Sequence, residues 1–335
     1  MNIDVHGHVV VQEILRSDAH PEGWRPEVVR DSAGRVFVRN DYFVNGPIPK
    51  EIVEWPKIIE NLDATQVDVM AVSPSPFLFF YYLNPQAGLY ACQVQNDAIA
   101  QAVAQYPRRL VGMGIVPLQD VRLAVRELER VVQELKMPAV EVGSNVLGAY
   151  LGEERFWPFW EAVEALDVFV FVHPEDPIGK DRLGPYYLIN LVGNPIETAR
   201  CIADVVFSGL LDRFPRLKLC FAHGGGAAPY IMGRFDHGFW MRNEPRAKIA
   251  RPPSEYMRML YYDTITHYGP ALEYLVQCFG PEHVVLASDY PFDMGPQQPV
   301  EFVRSAGLAE EVQRKILGEN ALRLLKLDPS VFSPA

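Results

Sequence analysis

Within the first eight residues an aspartate and two histidines occupy alternating positions, Asp4, His6 and His8. On an extended strand, side chains two apart share a face, so this spacing predicts that all three point the same way. Two imidazoles at a strand's end can converge on one metal ion, with a carboxylate beneath them orienting a ring through its second nitrogen. Three more residues of suitable type, His173, His223 and Asp289, each stand at or just past the end of an apolar run that reads as a buried strand. For any one such histidine alone, a hydrogen-bonded core residue is the better reading. Five metal-capable side chains at four strand ends form a pattern that core packing does not require.

We assign His6, His8, His173 and Asp289 to a single metal, which leaves His223 for proton transfer, a duty Asp289 can share. Nitrogen and oxygen donors of this kind suit zinc, with manganese or iron as substitutes. Asp4 reads either as the carboxylate that orients a ligand histidine or as a buried group holding backbone. Glu141, inside an apolar run, is a candidate for a second metal, although no lysine stands there to be carbamylated. The run His223-Gly224-Gly225-Gly226 could offer backbone N–H groups to an oxyanion. Hydrolases that use such a run also need a Gly-x-Ser-x-Gly elbow, which this sequence lacks, so a tight turn carrying His223 is expected. Arg234 and Arg242, together with Arg39 in the first connection, are candidates to receive a substrate carboxylate, or else are solvated surface charges. Phe77, Phe79, Phe80, Tyr81 and Tyr82 either wall a flat pocket or simply pack.

The elements that must position these residues follow from periodicity. Apolar runs predict strands at 3–6, 67–72, 110–116, 138–142, 167–172, 217–222, 259–264 and 284–287. Helical patterns fill the intervals at 56–64, 86–106, 120–135, 154–166, 195–214, 227–243 and 270–279, with an amphipathic tail at 308–325. Eight strands alternating with eight helices predict an α/β (β/α)8 TIM barrel, a single domain over 1–335, with its working residues at the C-terminal strand ends. A long insertion after strand 1, residues 9–55, carries Pro21, Pro26, Pro47 and Pro49 and one hairpin-like stretch at 35–39; so long a connection reads as a lid.

Composition bounds the partners. A formal charge of −11 gives no support for nucleic acid or an anionic membrane surface. Cys92, Cys201, Cys220 and Cys278 are scattered and read as reduced thiols rather than a disulfide framework. With no signal peptide ahead of the first strand and no apolar run long enough to span a bilayer, the expected location is the cytoplasm.

Taken together the motifs resemble the amidohydrolase superfamily (amidohydrolase-related family 2). The likeness is to its decarboxylase branch, typified by α-amino-β-carboxymuconate-ε-semialdehyde decarboxylase. The matching pieces are Ile3-Asp4-Val5-His6-Gly7-His8, Tyr106-Pro107-Arg108-Arg109-Leu110-Val111-Gly112, Phe171-Val172-His173-Pro174, Cys220-Phe221-Ala222-His223-Gly224-Gly225-Gly226, Gly233-Arg234 and Ser288-Asp289-Tyr290-Pro291-Phe292. The likeness extends to about residue 325. It implies that His6, His8, His173 and Asp289 bind zinc, that His223 is the acid/base, and that Arg234 meets a substrate carboxylate across a homodimer interface. The chain departs from that branch at Glu175, where an aromatic is usual, and at Arg39, which stands one residue later than the branch's arginine. An acidic Glu175 would repel a dicarboxylate, and a one-residue shift on a strand turns a side chain to the other face. The expected function is metal-dependent, non-oxidative decarboxylation of an aromatic or unsaturated, muconate-semialdehyde-like carboxylic acid. The alternatives are a hydrolase of a C–C, ester or lactone bond and a catalytically silent metal-binding barrel.

Overall fold

Short runs of Val, Ile, Phe and Ala suit strands covered on both faces, because neither face needs a polar residue. In the computed structural model, which describes residues 1–15, 27–39 and 44–332, these runs become eight parallel strands. They are β1 (Ile3–Val9), β2 (Val69–Pro74), β3 (Leu110–Ile115), β4 (Ala139–Gly143), β5 (Phe169–His173), β6 (Lys218–Phe221), β7 (Tyr261–Asp263) and β8 (Val284–Val285). Each pairs with its successor, and the ring closes where Val5 N donates to Leu286 O at 3.0 Å and His8 N to Tyr290 O at 2.8 Å. Helices cover the outside, among them Pro85–Gln105, Val121–Gln133, Asn194–Phe207, Ala228–Met241 and Gly269–Phe279. The predicted TIM barrel is the fold.

Two apolar layers result. Between strands and helices lies a large cluster that includes Val72, Leu128, Val140, Trp160, Val172, Ile202 and Phe221. Inside the barrel a smaller cluster joins Ile3, Val5, Ala71, Met113, Phe169, Phe171 and Cys220 to Ala321 and Leu324 of the C-terminal helical segment. The tail thus plugs the floor of the barrel as well as flanking β8, which leaves chemistry to the opposite mouth.

Departures from the expected elements have local causes. The helix expected over 195–214 divides into Asn194–Phe207 and Leu210–Arg213, because Gly209 turns the chain with a φ of +83°. The first connection holds an antiparallel sheet of Glu27–Arg30, Val36–Arg39 and Val44–Asn45 rather than one hairpin strand. Pro21 and Pro26 lie outside the described residues. Most consequential is β1, where Asp4 aligns with Met70 but Gly7 with Val72, so β1 spends three steps against two. This bulge carries one extra residue. Ile3 and Val5 face the barrel interior, and strict alternation would have turned His6 away. The extra residue brings His6 back to the interior, its ring 4.5 Å from that of Phe171, and leaves Asp4 on the other side of the strand. The expectation that Asp4, His6 and His8 share a face is corrected on this point.

Candidate functional site

His6 and His8 end β1, His173 ends β5, and Asp289 follows β8 in a left-handed turn with φ +55°. Barrel closure brings one donor atom from each of these four residues within 4.8 Å of the others, all of them buried. Nε2 of His6 and of His8 lie 3.3 and 3.1 Å from Oδ1 of Asp289. All three of these atoms are buried without a hydrogen-bond partner among the described residues. Buried polar atoms left so are costly unless something else satisfies them, and two imidazoles and a carboxylate aimed at one point fit a divalent cation.

In His6 and His173 the opposite ring nitrogen is held so that Nε2 stays free. His6 Nδ1 is 2.9 Å from Oδ2 of Asp263, and His173 Nδ1 is 2.9 Å from the Pro174 carbonyl oxygen. His8 Nδ1 faces Oε2 of Glu141 at 3.8 Å. Asp263, at the end of β7, was missed in the sequence although its place at a strand's C-terminal end is the same signal that marks the others. Its second oxygen accepts from Gly224 N at 2.7 Å and Ile265 N at 3.0 Å. Asp4, by contrast, accepts from His6 N at 2.9 Å, Ser288 N at 3.1 Å and the Ser288 hydroxyl. It holds backbone rather than an imidazole, because the β1 bulge separates it from the ligand face. Glu141 accepts from the Ser73 hydroxyl and stands beside His8, outside the four-residue cluster.

Electrostatics sort the protonation states. Burial raises the Asp289 carboxyl, but the His6, His223 and His8 rings gathered around it outweigh that and hold the group well below the ordinary carboxylate range. Burial, reinforced by His8, His6 and His223, keeps His173 well below the usual histidine value, so its Nε2 lone pair is available. For Asp263, burial again opposes, and His6, His223 and the Gly224 amide win to lower it. Burial pushes Asp4 and Glu141 each up to about 7.

His223 follows β6 in a tight turn with φ +56°, its Nε2 3.4 Å from Oδ2 of Asp289. Burial lowers its affinity for a proton, but Asp289, by hydrogen bond and by charge, raises it above the usual value. The three glycines shape this turn. Gly226 adopts φ +60° and ψ −129°, and a Cβ there would collide with the Pro195 carbonyl oxygen. Their amides are spent inside the protein, Gly224 N on Asp263, Gly225 N on Ala222 O and Gly226 N on His223 O, so they form a turn and no oxyanion hole.

Beside His223 opens a cavity of about 440 Å³, lined by Asn190, Asn194, Tyr230, Ile265, Thr266 and Met294 among others. None of the lining side chains is a lysine or an arginine. Arg39 pairs with Glu27 at 3.4 Å and Arg242 with Glu244 at 3.5 Å, both pairs in solvent, so within one chain neither reaches the cavity. Arg234 is exposed on the helix Ala228–Met241 and does not line the cavity either. Glu175, two residues past His173, is pushed by burial, and then by Asp176, up to about 8. It is not among the residues that line the cavity. The aromatic run mostly packs: Phe79, Phe80 and Tyr81 are buried, and the Tyr81 hydroxyl accepts from Gly143 N at 3.0 Å.

Comparisons with known proteins place this geometry. The model of the family described as Amidohydrolase matches residues 3–327. The 2-amino-3-carboxymuconate-6-semialdehyde decarboxylase of Dictyostelium discoideum is 39% identical over 277 residues, covering 82% of this chain and 77% of that protein. The gamma-resorcylate decarboxylase of Polaromonas sp. strain JS666 is 31% identical over 252 residues, covering 70% of this chain and 75% of its own length. Among solved structures, 5-carboxyvanillate decarboxylase from Sphingomonas paucimobilis superposes with a TM-score of 0.82 at 27% identity, covering 98% of this chain and 99% of that one.

Proposed function

The chain belongs to the amidohydrolase family, and on that premise we propose that it is a metal-dependent carboxy-lyase that decarboxylates an aromatic or unsaturated carboxylic acid without redox chemistry. The observation that carries this is the four-donor cluster at the barrel mouth with His223 beside it, facing a cavity that no lysine or arginine lines among the described residues. His6, His8 and His173 through Nε2, with Asp289, would hold one divalent ion. The donor set suits zinc, with manganese or iron as substitutes. Such an ion would add positive charge at the mouth, where no lysine or arginine lines the cavity, and would polarise a substrate oxygen.

The chain's own residues do the rest. Asp289 holds His223 by the 3.4 Å contact, with His223 carrying the proton to be transferred. His223 delivers that proton to the carbon bearing the carboxylate. The C–C bond to the carboxylate then breaks, its electron pair restores the unsaturated system, and CO2 leaves. His223 is reprotonated from solvent, so one proton is consumed per CO2 released and no electron acceptor is needed. Asn190, Asn194 and Thr266 offer uncharged hydrogen bonds to ring substituents, while Ile265 and Met294 cover an apolar face.

The chain reads as one domain, with the described parts of the first connection, 9–15, 27–39 and 44–55, as a lid over the mouth. Arg234 shares its helix with Tyr230, Trp240 and Met241, whose exposures of 87%, 63% and 65% are large for apolar groups. A second copy covering this face would make a homodimer and bring Arg234 toward a carboxylate. Sedimentation should then give twice the monomer mass. No helix among the described residues is long and apolar enough to cross a membrane, and free thiols at Cys92, Cys201 and Cys220 support a reducing compartment, the cytoplasm.

The test is His223→Ala. Against a panel of hydroxybenzoic and muconate-type acids scored for CO2, the metal-loaded variant should lose a factor of about 10²–10⁴ in kcat with metal content unchanged. A variant that turns over at the wild-type rate overturns the role of His223. A wild-type enzyme that cleaves esters or lactones and releases no CO2 overturns the reaction class.

A further inference from the structure

Glu197 is fully buried on the helix Asn194–Phe207, yet no lysine or arginine pairs with it among the described residues. Four uncharged donors meet its carboxylate instead. Oε1 accepts from the Ser144 hydroxyl at 2.9 Å and Asn145 Nδ2 at 3.0 Å, and Oε2 from the Tyr150 hydroxyl at 3.2 Å and Ile178 N at 3.0 Å. A buried carboxylate needs such donors to be tolerated at all, and here they come from separate segments of the chain, so the group ties those segments together.

The partners say what it does. Ser144 and Asn145 follow β4, and the same two side chains hold the backbone just past His173. Glu175 N donates to the Ser144 hydroxyl at 3.0 Å, and Asn145 Nδ2 donates to Glu175 O at 2.5 Å. Ile178 begins the long segment that leaves β5, and Glu197 lies just after that segment returns as a helix. One carboxylate therefore binds both ends of the 178–197 loop. The ends also touch where Gly193 packs on Pro177, close enough that a Cβ on Gly193 would lie 3.1 Å from Cβ of Pro177. The loop presents Asn190, Leu191 and Asn194 to the cavity beside His223. Its return leg is pinned to the glycine turn by Ala227 N donating to Pro195 O at 3.0 Å.

We propose that Glu197 is a positioning residue for substrate binding: by clamping the neck of the 178–197 loop it sets the cavity wall without touching the reacting atoms. That the cavity receives the substrate rests on the function proposed above; that Glu197 clamps the loop does not.

Glu197→Gln tests it. A glutamine NH2 must face either Asn145 Nδ2, which is committed to Glu175 O, or Ile178 N, which cannot become an acceptor, so one side of the clamp opens. Lys180 and Arg182 lie in the loop and are exposed, so trypsin reports its opening. In the metal-loaded protein, cleavage after these two residues should rise roughly tenfold relative to tryptic sites elsewhere, with metal content and Tm near wild type. KM for the decarboxylated acid should rise roughly tenfold while kcat changes less than about threefold. Tyr150→Phe, which removes one donor and leaves three, should move both readouts in the same direction by a smaller factor, and it carries the test if E197Q does not fold. Cleavage that is unchanged, or that rises equally across the chain, overturns the clamp. A fall in kcat at constant KM overturns the positioning role. If wild-type enzyme decarboxylates no acid, the functional assignment fails while proteolysis still decides the clamp.

Discussion

Replacing Asp263 by asparagine separates a structural acid from one that tunes a metal ligand. The carboxylate has three donors to satisfy: His6 Nδ1 at 2.9 Å on one oxygen, Gly224 N at 2.7 Å and Ile265 N at 3.0 Å on the other. Asparagine has one acceptor oxygen. Turning it toward the two backbone amides satisfies two fixed donors, whereas turning it toward His6 strands both, at about 1–3 kcal/mol each. The first orientation therefore wins, and the amide NH2 faces His6 Nδ1. That nitrogen must then accept, the proton moves to Nε2, and the tautomer able to bind a cation through Nε2 is lost. Changes of this kind to a ligand's hydrogen-bond partner weaken metal binding by about 10–100-fold, or about 1.4–2.7 kcal/mol. Competition with a chromogenic chelator measures the ratio directly, and circular dichroism of the metal-free protein shows whether the barrel survives. Metal affinity within twofold of wild type, in a folded D263N protein, would refute the tautomer mechanism.

Asp4→Ala strips buried partners from Ser288 N and His6 N, and should lower the urea unfolding free energy by roughly 2–4 kcal/mol. Gly226→Ala meets both a backbone conformation of φ +60°, ψ −129° and the Pro195 carbonyl; strain alone costs about 1–3 kcal/mol, so Tm should fall sharply or soluble protein be lost. Removing bound metal by dialysis against a chelator should lower stability by about 2.7 kcal/mol relative to protein held at a hundred times its Kd, read as a metal-dependent Tm. Asp167 links Lys218 and Lys326 beneath the barrel; burial raises its carboxyl, but the two lysines outweigh that and hold it below its ordinary value. A depressed folded-state value means the contribution is present above the unfolded carboxyl's range and disappears as pH falls through the folded one. Since the side chain is half exposed, Asp167→Asn should cost no more than about 1 kcal/mol at pH 7, a difference that vanishes in denaturation curves taken well below the ordinary carboxylate range.

What the chain alone determined was periodic and local. Alternating apolar runs and 3.6-residue helical patterns depend on near neighbours, so eight strands, their helices and the barrel were legible in sequence, and with them the strand-end positions of His6, His8, His173, His223 and Asp289. Residues at strand ends must meet at the mouth of a closed barrel whatever separates them in sequence. Tertiary structure decided the rest, because it turned on register and on partners far along the chain. The bulge in β1 cannot be read from Ile3 to Val9, since it exists only against β2, and it is what divides Asp4 from His6. Asp263 orients a histidine 257 residues away, and Glu197 joins groups 52 and 53 residues before it to Ile178. No local period marks such pairings: a carboxylate at a strand end or inside a helix looks the same in sequence whether it faces water, backbone or an imidazole, and only the folded neighbours supply the proton donors that give it a task.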